Sequence, residues 1–182
     1  MKKTLITLSL LALVFSSTGC LGRIIKEGWE GLEQGKGRFD IQSADPGSLA
    51  EYSQFEIGTF TDDTNGTAPT QFFADLPEAF LLIAEAEKLP QNPGGKKLVI
   101  DGVVIYYEAA AITGQVFGPF EEVVARVEYK DASSGKVIAR GTAVGRTGAT
   151  TAQGPRTKAG GLSKGLVKFI TDHYPESQLV QD

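Results

Sequence analysis

The sequence predicts an α+β (or α/β) fold: a single β-α-β-β-β-α layer with two helices packed on a mostly antiparallel sheet. Three observations predict it. Residues 70–89 and 160–175 carry apolar side chains at helical spacing. Residues 98–108, 120–130 and 136–146 are β-branched or alternate apolar with polar. The turn Asp131-Ala132-Ser133-Ser134-Gly135 joins the last two of these as a hairpin. At 182 residues, 41% hydrophobic and 22% charged, the chain suits one globular domain, and it contains no internal repeat.

Taken in order, the chain begins with Lys2 and Lys3, then an apolar run from Leu5 to Phe15 broken only by Thr7 and Ser9. The small residues Ser16, Ser17, Thr18 and Gly19 follow, and directly after them comes Cys20, the one cysteine of the chain. This is the layout of a secretory signal peptide over residues 1–19, with an apolar run too short to span a bilayer. The segment resembles the signal of bacterial lipoproteins, departing from it at Ser17, where that family usually has Leu. The resemblance implies cleavage between Gly19 and Cys20, a diacylglycerol thioether on Cys20 and an acyl chain on its new amine. Leu21 stands where an aspartate would favour the inner membrane, so the resemblance implies the periplasmic side of the outer membrane. Each buried methylene of such an anchor contributes about 0.8 kcal/mol. An ordinary signal peptide followed by a free thiol is the other reading of these residues.

Residues 20–50 read as the anchor and a tether, and residues 51–182 as the globular domain. The stretch 21–37 holds five glycines, and Ile25, Trp29 and Leu32 are spaced as one stripe of a short amphipathic helix. Trp29 then either docks on the domain or rests at the lipid interface, and a plain linker remains the third option. Residues 54–60 set Phe55, Ile57 and Thr59 against Glu56 and Gly58, as a strand does. In the first helix Phe72, Leu76, Phe80, Ile83 and Glu87 recur at helical spacing. Asp75 and Glu78 form a cap pattern ahead of Pro77's turn, so the helix starts at Asp75 or starts earlier and kinks there. Pro90 and the Asn92-Pro93-Gly94-Gly95 run end it.

Residues 98–108 are β-branched and aromatic on both faces, which predicts a central strand covered on two sides. Residues 120–130 put Val123, Ala125, Val127 and Tyr129 on one face and Glu122, Arg126, Glu128 and Lys130 on the other. The last helix carries Leu162, Leu166, Phe169, Ile170 and His173 on one stripe, away from Lys164, Lys168 and Asp172, and Pro175 stops it. The stretch from Leu98 to Gly145, with Gly114, Gly118 and the Ser134-Gly135-Lys136 turn, resembles bacterial envelope lipoproteins of uncharacterised function. Their domain plan is similar to the amino-terminal domain of the Tol system's β-propeller protein and to the core of the curli secretion lipoprotein. That resemblance implies a fold and brings no catalytic residue with it.

Composition excludes several classes of chemistry. One cysteine rules out a disulfide framework and multi-Cys metal sites, and one histidine rules out two-imidazole zinc motifs. Without residues 1–19 the chain has sixteen basic and twenty-two acidic groups, a net −6 that gives no reason to expect nucleic acid. His173 falls near a helix C-terminus and reads as a packing or capping residue. Asp62-Asp63-Thr64-Asn65-Gly66 reads as a polar turn, because an EF-hand register would place Phe72 where the bidentate Glu belongs. The neighbours Glu121 and Glu122 point to opposite faces of a strand and share no site. The Asn65-Gly66-Thr67 sequon reads as coincidence in a bacterial chain.

One stretch invites a ligand. Residues 146–161 are Gly-rich and basic and precede a helix, so Arg146, Arg156 and Lys158 could hold a phosphate or lipid head group. The same stretch is explained by a flexible connection, since it lacks the Gly-Lys-Ser/Thr ending of a P-loop. A basic face of Arg126, Arg140, Arg146, Arg156 and Lys158 is the wider form of the idea. The expectation is therefore a lipid-anchored, non-enzymatic interaction or assembly domain without cofactor or metal, its partners the membrane and an envelope protein or a second copy. The alternative is a binding domain for an anionic small molecule or head group.

Overall fold

A computed structural model of the chain describes residues 35–108, 122–147 and 154–180. They form β1 (Gly35–Ala44), a 3₁₀ turn (Pro46–Glu51), β2 (Gln54–Asp62), α1 (Thr70–Ala86), β3 (Lys97–Tyr107), β4 (Glu122–Asp131), β5 (Val137–Thr147) and α2 (Pro155–His173). A second 3₁₀ turn (Glu176–Gln178) follows α2. The five strands make one sheet in the order β1-β5-β4-β3-β2, and both helices lie on the same face. Three pairings are antiparallel; β2 and β3 run parallel, with α1 as their crossover. The expected two-helix α+β layer is therefore what forms. None of the described helices is long and apolar enough to cross a membrane.

The additional element is β1. Reading residues 20–50 as tether carried it too far, because residues 35–44 pair with β5 along their length and Leu49 of the following turn is fully buried. The strand escapes a periodicity reading because its inward positions begin Gly35 and Gly37, so apolar alternation shows at Phe39 and Ile41 only. α1 begins at Thr70, after Pro69, which settles the two starts left open above. Asp75 is inside the helix, buried, and accepts a hydrogen bond from Gln71 Nε2 at 2.7 Å, so it does not cap it. Pro77 interrupts the ladder where it cannot donate to Phe73, and the helix continues to Ala86. Glu87 caps α1 and is exposed.

β4 alternates as its sequence predicts, with Val123, Ala125, Val127 and Tyr129 buried. β3 does not have two covered faces. Leu98, Ile100 and Val104 are buried, whereas Val99, Val103 and Ile105 are half-buried and Tyr106 is 49% exposed. Its β-branched outer positions express strand propensity, not burial. In β2 the alternation breaks at a bulge between Ile57 and Phe60, and the Phe60 ring covers Gly102 of β3.

The core between helices and sheet is built from Phe55, Phe72, Leu76, Phe80, Ile100, Val127, Leu162, Leu166 and Ile170. Phe39, Tyr129 and Phe169 stack together with ring centroids 4.7–5.4 Å apart, and the buried Tyr129 hydroxyl donates to the Leu166 carbonyl at 2.9 Å. Where α2 crosses β1 and β5, backbone meets backbone. A Cβ on Gly37 would stand 2.0 Å from the Gly165 nitrogen, and one on Gly145 would stand 2.4 Å from the Leu162 nitrogen. Glycine at these positions sets how closely the helix approaches the sheet.

Candidate functional site

The basic residues of 146–161 do not form the loop expected of them. α2 already begins at Pro155, where proline's fixed φ suits a first turn, so Arg156 and Lys158 are helical and Arg146 is the penultimate residue of strand β5. Each has a partner inside the protein. Arg146 pairs with Glu122 at 3.4 Å. Arg156 reaches across to α1 and donates from both terminal nitrogens to Glu78, at 3.0 and 3.2 Å, which lowers the Glu78 carboxyl below its ordinary range. Lys158 is 1% exposed, donates to the Glu108 carbonyl, and holds its ammonium 4.5 Å from the Tyr107 ring centroid. The last two fasten α2 to α1 and to the end of β3, and the first joins β5 to β4. Cys20 and Gly19 lie outside the described residues, as do Ile25, Trp29, Leu32, Gly114, Gly118 and Glu121.

His173 has a structural post. Its Nδ1 lies 2.8 Å from the Phe169 carbonyl, an acceptor, so that nitrogen carries the proton, and its ring packs 4.8 Å from that of Phe169. The Asp62 turn also closes on itself. Asp62 accepts from the Thr64 hydroxyl, the Thr64 amide and the Gly66 amide, which holds its carboxyl low, and Asn65 and Gly66 adopt left-handed φ of 56° and 80°. No cluster of three His, Cys, Asp or Glu placed to hold a metal occurs among the described residues.

Two surfaces remain. The first is the sheet face opposite the helices. Register places Arg38, Val144, Val124 and Tyr106 in one row across four strands, with Arg126 and Val103 paired in the next. Val144 is 5% exposed although it lies outside the helix–sheet core. Around this apolar strip runs a mesh of opposite charges. Arg140 meets Glu128 at 2.7 Å, Lys130 meets Glu128 at 2.8 Å and Asp101 at 3.2 Å, and Arg126 meets Asp63 at 3.6 Å. The two cations hold the Glu128 carboxyl below its usual range, and Glu128 with Asp101 raises Lys130. The basic face suggested by sequence does not form as one face: Arg156 and Lys158 are on α2, while Arg140 and Arg146 stand opposite Glu128 and Glu122 by strand register and Arg126 meets Asp63.

The second surface is a groove of about 860 Å³ between the end of α1, the outer side of α2 and the start of β1. Ile83, Ala86 and Val167 give it an apolar lining, and Lys36, Lys164, Lys168, Glu87 and Asp172 stand around it. Sequence reasoning had no means to find it, because one wall is the unrecognised β1.

No family model matches the chain, and no curated protein matches it in sequence. Among solved structures it is similar to PelC dodecamers from Paraburkholderia phytofirmans. A single-substitution variant of PelC is 18% identical, with a TM-score of 0.47 over 73% of this chain and 95% of that one. Another PelC crystal is 15% identical, with a TM-score of 0.48 over 78% and 99%.

Proposed function

We propose that the protein is a lipid-anchored component of the bacterial envelope whose α+β domain is a non-enzymatic assembly module, meeting a second copy of itself through the helix-free sheet face. The observation that carries the assembly reading is that face. The exposed Tyr106 and the half-buried Val103 and Val124 form an apolar strip, underlain by the buried Val144, within interspersed charges of both signs. A patch with an apolar middle and a polar rim has the anatomy of a protein contact. Acids and bases side by side let the same patch complement itself under a two-fold rotation. The anchor is supported by the layout of residues 1–20, in which the one cysteine directly follows the small-residue stretch.

The two halves are tested separately. Cys20→Ala moves the protein from the membrane to the soluble fraction, and membrane retention of the variant refutes the anchor. Light scattering on the detergent-solubilised protein reports a mass of two or more copies, reduced by Tyr106→Glu. A wild-type protein that stays monomeric across concentrations refutes self-assembly, whichever envelope protein it captures instead.

A further inference from the structure

We propose that the groove between α1, α2 and β1 is the docking site of the chain's own segment 25–33. Position, shape and charge support this independently of whether Cys20 carries lipid.

Position comes first. Gly35, the first described residue, itself lines the groove, so the preceding chain departs from its wall. Trp29 is six residues upstream and therefore within about 20 Å of Gly35, even fully extended at roughly 3.4 Å per residue. A segment so closely tethered is present at an effective concentration on the order of millimolar, so a weak intrinsic affinity fills the groove.

Shape and charge follow. The groove is floored by Ile83 and Val167, with Ala86 exposed at its edge. Ile25, Trp29 and Leu32, spaced i, i+4 and i+7, give the segment an apolar stripe to lay against such a floor. Glu27, Glu30 and Glu33 recur every third residue beside that stripe, against the single base Lys26. The groove presents Lys36, Lys164 and Lys168 against Glu87 and Asp172. Lys164 donates to the Gly35 carbonyl at 2.9 Å, so one ammonium group stands where the segment leaves the domain, and Lys168, paired with Asp172 at 2.8 Å, lines the groove one turn further along α2. An acidic amphipathic segment suits this groove better than the zwitterionic surface of a bilayer does. Docked there, the segment leaves residues 21–24 between the domain and Cys20 and holds the domain against the membrane.

Trp29 is the sole tryptophan of the chain, so its fluorescence reads the proposal directly. The mature full chain is examined in detergent and in phosphatidylcholine vesicles containing doxyl-labelled lipid. Docking gives a blue-shifted emission that is weakly quenched by acrylamide and unquenched by the labelled lipid. Ala86→Arg, which fills the groove from an exposed position, and separately Lys168→Glu, which removes an exposed cation, each shift the emission to the red. Each also raises acrylamide quenching several-fold, with an unchanged thermal melt. Wild-type emission at the wavelength of free tryptophan overturns the proposal, as does strong quenching by the labelled lipid. An emission that changes on dilution assigns the groove to a second copy and overturns it equally.

Discussion

Gly37→Ala is the most direct probe of how this fold is held together. The added Cβ would lie 2.0 Å from the Gly165 nitrogen, 2.5 Å from the Gly161 carbonyl oxygen and 2.6 Å from the Lys164 carbonyl carbon. All three are backbone atoms, so no side chain can rotate away. Restoring an ordinary contact of 3.4 Å requires β1 and α2 to separate by about 1.4 Å along that line. Overpacking of a close-packed interior usually costs about 1–3 kcal/mol, and a rigid backbone neighbour places this case at about 3 kcal/mol. At about 2–4 °C per kcal/mol for a domain of this size, the midpoint falls by roughly 6–12 °C. β1 is an edge strand and could escape by peeling away, whereas Gly145 in β5 is held on both sides, by β1 and β4, and cannot. Gly145→Ala, with its Cβ 2.4 Å from the Leu162 nitrogen, therefore destabilises at least as much. Gly47→Ala, where no atom lies within 4 Å, is the control and changes stability by less than about 0.5 kcal/mol. Thermal and guanidinium denaturation followed by circular dichroism measure all three. If Gly37→Ala and Gly145→Ala melt with Gly47→Ala, close backbone approach does not set the helix–sheet spacing and the reasoning fails.

Tyr129→Phe removes one buried hydroxyl bonded to the Leu166 carbonyl while keeping the ring among Phe39 and Phe169; it costs about 1 kcal/mol in urea denaturation, and an unchanged midpoint contradicts the assigned bond. Asp131 accepts from the hydroxyls and amides of Ser133 and Ser134 and from the Tyr52 hydroxyl, which holds its carboxyl well below the usual range. Burial, then the bond to Asp131, pushes the Tyr52 phenol up to about 12. Because the folded carboxyl of Asp131 is depressed, its contribution is complete above the unfolded value of about 3.9 and is lost as pH falls through the folded value. Wild type therefore loses stability below about pH 4, and Asp131→Asn, less stable at pH 7, loses less over the same interval. Parallel pH profiles for the two proteins would remove Asp131 from that account. Arg156→Ala breaks an exposed pair with Glu78 and lowers the unfolding free energy by about 0–1 kcal/mol in urea denaturation, and a larger loss contradicts the assigned exposure.

Some of this was legible in the sequence and some was written in a form that periodicity does not count. Both helices and β2 to β4 announced themselves because their inner positions carry large apolar residues, such as Phe72, Leu76 and Phe80 in α1 or Val123, Val127 and Tyr129 in β4, whereas β5, with Ala139, Gly141, Ala143 and Gly145 inward, was legible through the hairpin turn before it. β1 and the first turns of α2 did not, because their inner positions are glycines. Gly35 and Gly37, two apart on a strand, face Gly161 and Gly165, four apart on a helix. Hydrophobic periodicity scores each of them as nothing, and composition scores them as linker. One local spacing matches a strand face and the other a helix face, so the pairing carries information, but only once both are known to meet across 129 residues of chain, as Lys164 and Gly35 do. Arg156 and Lys158 were misplaced for the same reason, since a Gly-rich stretch hid the helix that carries them. The acids that balance the basic residues were visible singly, but only strand register sets Arg140 opposite Glu128 and Arg146 opposite Glu122. The groove follows from the same glycines. Absent side chains let α2 settle onto β1, and the wall left by Gly35 and Gly37 is where the tether leaves the domain. Adding methyl groups to that wall would therefore perturb both fold and docking, whereas changes at Ala86 or Lys168 act on docking alone, which is why the fluorescence test uses those positions.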